Sequence, residues 1–100
     1  MKILYSIPHV TLWVTDEDIL QLKIEDTELF DTFDDIFTEQ FDIVDYEHST
    51  ENKGDLTIYT IHFPKTVDPK QLLDAIMSLD EKEVERIFQM NNPKTKKTYR

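Results

Sequence analysis

The hydrophobic period of this chain changes from two to that of a helix near residue 26, which excludes both a purely stranded and a purely helical fold. Before the change, "VTLWV" (10–14) is rich in β-forming residues, and "ILQLKI" (19–24) ends in strict alternation at Leu20, Leu22 and Ile24. "TDED" between them can turn the chain, so the pattern is that of a hairpin. Residues 2–7 either extend the first strand toward Pro8 or form a short strand of their own. After the change, Leu29, Phe30, Phe33, Ile36 and Phe37 fall within roughly 120° of a helical wheel. The helix expected here starts with Asp26 or Thr27 as N-cap, carries Glu28 and Asp31 in its first turn, and runs to about Glu39.

Two further apolar runs, "FDIVDYEH" (41–48) and "DLTIYTIHF" (55–63), flank "STENKG", which ends in Gly54, the chain's one glycine. A lone glycine just before a strand predicts a left-handed position closing a hairpin. Both runs carry apolar residues on each parity, which predicts a hairpin central in its sheet. "VDPKQL" then offers Asp68 as N-cap, Pro69 at the first helical position, Gln71 as the reciprocal cap and a Val67–Leu72 staple. "LDEKEV" repeats the device with Asp80, Glu83, Leu79 and Val84. The expected buried faces are Leu72, Leu73, Ile76 and Met77 on one helix and Val84, Ile87 and Phe88 on the next, which "NNP" stops. The element order β-β-α-β-β-α-α predicts an α+β domain over residues 1–93. Its largely antiparallel, four-stranded sheet carries three helices mainly on one face. Residues 94–100 form a basic tail expected to fray.

Most chemical functions lack a supporting motif. A phosphate-cradling loop needs several glycines, and nucleophilic catalysis finds no cysteine and no elbow around Ser6, Ser49 or Ser78. "DEDILQLKIEDTE" breaks the calcium-loop pattern at Leu20 and Leu22 and has no glycine. With no cofactor or metal implied, His48 and His62 remain as an alternative enzyme reading, either one acting as base beside Asp45 or Glu47. A turn centred near Asn52 and Lys53 places His48 opposite residues around 57, far from His62. The absence of cysteine fits a reducing compartment, so the cytoplasm is expected. "MKILYSIPHVTLWV" is interrupted by Pro8 and His9 and reads as no secretion signal, and no run approaches a membrane span.

The charge is where the sequence speaks most clearly. Of a net −10, residues 16–51 alone hold fourteen acids against Lys23. A field of this sign repels nucleic-acid backbones and anionic membranes and attracts basic surfaces. A solvated helix ordinarily mixes signs at i, i+4, but here Glu28 with Asp31, and Asp31 with Asp34 and Asp35, are like-charged neighbours. The acid continues past Glu39 into Asp42, Asp45 and Glu47, with Tyr46 among them as an aromatic anchor. Glu28, Asp31, Asp34, Asp35, Glu39, Asp42, Asp45, Tyr46 and Glu47 are therefore the candidate contacts for a basic protein partner. A second reading is a nucleic-acid mimic, in which spaced carboxylates stand in for phosphates.

In size, acidity, absence of cysteine and absence of a catalytic motif, the chain resembles the small cytoplasmic immunity proteins with which bacteria neutralise their own toxic nucleases. The resemblance is one of overall character. It implies an inhibitor, not an enzyme, that covers the basic active site of a cognate toxin.

Overall fold

Strict alternation at Leu20, Leu22 and Ile24 marks the middle of the sheet. In a computed structural model, which describes residues 1–91, five strands form: β1 (Lys2–Ile7), β2 (Val10–Val14), β3 (Leu20–Ile24), β4 (Glu47–Lys53) and β5 (Leu56–His62). They lie in the order β1-β2-β3-β5-β4, and every neighbouring pair is antiparallel. Leu12, Leu22 and Ile61 align across three strands and are fully buried, as are Val10 and Ile24 in the next row. Burying each such side chain contributes about 1.5–3 kcal/mol.

Three helices supply the other layer: α1 (Thr27–Asp35), prolonged by a π-helical turn (Ile36–Gln40), α2 (Pro69–Met77) and α3 (Glu81–Asn91). Leu29, Phe30, Phe33, Ile36 and Phe37 join Leu72, Ile76, Val84, Ile87 and Phe88 against the strands in one core. The strand residues of opposite parity, among them Thr11, Trp13, Gln21 and Lys23, stay partly exposed on a sheet face that no helix of the described residues covers. The α+β class and three helices agree with the sequence.

The sheet itself needs correction. It has five strands, because residues 2–7 form β1, whose register against β2 shifts between Ile3 and Tyr5. That bulge hides the alternation by which a strand is recognised. The hairpin expected at the centre is half peripheral: β5 pairs with β3, but β4 is an edge strand with all seven residues exposed. Its turn is made by Gly54 (φ 62) and Asp55, not by Asn52 and Lys53. Glu47 thus faces His62 and His48 faces Ile61. The run expected to pair from residue 41 does so only from Glu47, because Asp42 and Asp45 adopt left-handed backbone (φ 55 and 67).

Helix starts follow the sequence closely. Asp26, only 3% exposed, accepts from the Leu29 amide (3.1 Å), Asp68 from Gln71 (3.3 Å) and Asp80 from Glu83 (2.8 Å). The reciprocal halves of the two capping boxes are used elsewhere. Gln71 donates its side-chain amide to the Phe41 carbonyl (2.9 Å), and Glu83 pairs with Arg86. Met77, expected in the core, is 54% exposed, because Leu72, Ala75 and Ile76 define a stripe that lies more than a quarter-turn away. The basic stretch 94–100 lies outside the described residues.

Candidate functional site

The five buried side chains of α1 and its π turn fix what the helix shows to solvent. At about 100° per residue, Glu28, Asp31 and Asp35 fall within about 60° of one another, centred opposite the buried stripe. All three are exposed. Asp31 stands i, i+3 from Glu28 and i, i+4 from Asp35, so the outward face is a row of like charges.

Asp34 is placed differently, on the flank of α1 toward β4. It is half-buried, and the Tyr46 hydroxyl donates to its Oδ1. The Tyr46 ring stands edge-on to Phe37 (centroids 5.8 Å, 84°) and lies 5.3 Å from Phe63. Tyr46 is therefore tied to the rim of the core and does not project as an anchor. Burial, the hydrogen bond to Asp34 and the charges of Asp34 and Asp35 hold its phenol well above the usual tyrosine range.

Beyond the helix, Glu39 is exposed in the π turn, and Asp42 and Asp45 stand exposed around buried Ile43. Ile43 donates its amide to the Phe37 carbonyl (2.8 Å), and Gln71 holds the Phe41 carbonyl, so this loop is pinned at both flanks. Asp42 and Asp45 line a shallow cleft of about 240 Å³ together with Val44 and Gln71. Glu47 leaves the group. Strand alternation turns His48 toward Phe30 on the helix-covered face (centroids 4.7 Å) and Glu47 to the uncovered face, opposite His62.

None of these eight carboxylates forms an ion pair with a described cation. The ion pairs of the described residues involve Asp16, Glu25, Asp74, Glu83 and Glu85 instead. The two outer carboxylates of His9 belong to that set: its ring stacks on Phe88 (3.6 Å, 11°) with Nδ1 3.4 Å from Glu25 and Nε2 3.3 Å from Glu85. His9 thus clamps the β1–β2 turn to α3.

The uncovered sheet face carries a hydrogen-bonded row that the sequence reading missed. The Trp13 indole donates to Gln21 Oε1 (2.9 Å), which leaves the Gln21 amide nitrogen facing His62 Nδ1 (2.9 Å). An indole N–H only donates and an amide NH₂ only donates, so His62 Nδ1 accepts and its proton sits on Nε2, 3.4 Å from Ser49 Oγ. In this arrangement Nε2 has no lone pair with which to take a proton from Ser49. No carboxylate of the described residues hydrogen-bonds to His62 or His48. The parity shared by Trp13, Gln21 and His62 was the available signal, but it becomes one row only once β3 is known to pair with β5.

No helix among the described residues is long and apolar enough to cross a membrane. Comparison with protein-family models, curated proteins and solved structures found no match to the chain.

Proposed function

We propose that the chain is a non-enzymatic binding protein, an immunity- or antitoxin-like inhibitor that masks the basic active site of a cognate toxin nuclease in the cytoplasm. One observation carries this reading: Glu28, Asp31 and Asp35 share the outward face of α1 with no cation from the described residues beside them. Each like-charged pair costs the helix a few tenths of a kcal/mol, a cost that a positively charged partner reverses. A cleft that binds phosphates has the matching charge, and opposite fields accelerate encounter.

Within the candidate set, Glu28, Asp31, Asp35 and Glu39 form the primary contact, extended by Asp42 and Asp45. Asp34 and Tyr46 hold each other and stiffen the edge of this face. Glu47, on the far side of the sheet, takes no part. The reading requires no cofactor.

The test starts from the basic protein that the chain captures from its host at low salt. One equivalent of chain is expected to abolish that protein's nuclease activity, with an association rate that falls steeply as salt rises. Asp31→Lys combined with Asp35→Lys should slow association at least about tenfold while circular dichroism stays unchanged. Unchanged inhibition by this variant rejects the assigned face.

A further inference from the structure

We propose that β4 is a docking edge for a second copy of this chain, with the two β4 strands pairing antiparallel across a two-fold axis at Thr50. The proposal is independent of the toxin-inhibitor reading.

Sheet edges in natural proteins are ordinarily blunted by bulges, proline, shortness, charged side chains or a covering element. The β1 edge has such protection, its ladder being interrupted by the bulge between Ile3 and Tyr5. Among the described residues the β4 edge has no bulge, proline or covering element; its protection is the charge of Glu47, Glu51 and Lys53, which a strand of complementary charge order neutralises. The seven residues of β4 keep one unbroken register with β5, include no proline and are all exposed. No backbone group of β4 is bonded to a described residue outside its pairing with β5. A row of outward N–H and C=O groups is therefore open to another strand.

The order of side chains selects the occupant. With Thr50 opposite Thr50 of the second copy, Glu47 falls opposite Lys53, His48 opposite Asn52 and Ser49 opposite Glu51. Both ends of the ladder then carry opposite charges, and no like charges meet. A two-fold at Ser49 sets Glu47 against Glu51 twice, and one at Glu51 sets that residue against itself. Cross-strand ion pairs and Thr–Thr pairs are each favourable by a fraction of a kcal/mol, and like-charged pairs are unfavourable by similar amounts. A two-fold at Asn52 also sets Glu51 against Lys53, but overlaps only three residues of the strand; Thr50 is therefore the centre that pairs the whole of β4 with no like charges opposed and the helices of both copies on one face. The result is one continuous antiparallel sheet of ten strands, five from each copy. Each copy brings a net −10, so mutual repulsion opposes pairing at low ionic strength, whereas backbone hydrogen bonds are insensitive to salt. Dimerisation accordingly strengthens with salt, opposite to the response expected for binding a basic partner.

The chain has no cysteine, so a single introduced thiol reports the register. Directly opposite residues in an antiparallel pair have Cα atoms about 4.5–5.5 Å apart, within the reach of a disulfide. Thr50→Cys, mildly oxidised in high salt, is expected to yield a cross-linked dimer with unchanged circular dichroism. Asn52→Cys, whose copies lie about 14 Å apart along the strand in this register, should remain uncross-linked. At about 0.1 M salt, where opposed charges are not yet fully screened, adding Lys53→Glu to Thr50→Cys should slow cross-linking about tenfold, and further adding Glu47→Lys should restore it. Sedimentation of the unmodified chain should shift toward the dimer as salt rises. The proposal is overturned by a monomer at every salt concentration, by equal cross-linking at positions 50 and 52, or by failure of the charge swap to restore the Thr50→Cys rate.

Discussion

Tyr46 joins the candidate acidic face to the core through one hydroxyl. Its ring contributes to the aromatic rim beside Phe37 and Phe63, and its hydroxyl satisfies Asp34. The folded state raises the phenol's pKa above its unfolded value of about 10. The protonated phenol is thus favoured by folding, so this contribution is fully present below about pH 10 and is lost as pH rises beyond it. Tyr46→Phe is expected to lose about 1 kcal/mol at neutral pH and to show a shallower alkaline fall in stability than the parent chain. Urea unfolding at pH 7 and in steps above pH 10 measures both, and an unaltered alkaline fall would falsify the assignment. The sequence could not reveal this role. In "VDYE" Tyr46 alternates with Asp45 and Glu47 as if on a regular strand, whereas the left-handed turn at Asp45 swings it inward onto Asp34.

At the scale of elements, legibility followed the range of the interaction. Asp26, Asp68 and Asp80 cap amides three residues away, so each helix start is written locally. The β3–β5 pairing joins Gln21 to His62, and no local pattern encodes it. The end of the first helix was legible only in part, because a π turn replaces its last regular turn and delivers the chain to Asp42 and Asp45. Aspartate tolerates left-handed backbone better than most residues, and a β-branched side chain tolerates it poorly. Asp45→Gly is therefore expected to leave stability within about 0.5 kcal/mol of the parent, whereas Asp45→Val should cost about 1–2 kcal/mol. Chemical denaturation ranks the two. Equal losses in both would mean that the Asp45 carboxylate, not its backbone, holds the loop. The acidic character of the candidate site was legible from composition. Its division was not, because the departure of Glu47 depends on where β4 begins.

For the molecule as a whole, a net charge of −10 on 100 residues means that folding compresses like charge, most densely along α1. Added salt screens that repulsion within a Debye length of about 10 Å at 0.1 M, so the melting temperature should rise between low and moderate ionic strength. Asp31→Lys with Asp35→Lys replaces like-charged neighbours by opposite ones next to Glu28 and Asp34 and reduces the net charge. The variant is expected to gain a few tenths of a kcal/mol for each pair made opposite in sign, the two introduced lysines still repelling each other at i, i+4, and to show a smaller rise in melting temperature with salt. Differential scanning fluorimetry of parent and variant across a salt series measures both effects. If the parent proves insensitive to salt, the carboxylates of α1 are not under mutual strain, and the reason for seeking a basic partner falls with it. If the variant is more stable yet no longer inhibits, the loss cannot be ascribed to unfolding, because the substitutions move stability and binding in opposite directions. That opposition is the signature of charge retained for a partner at the expense of the fold.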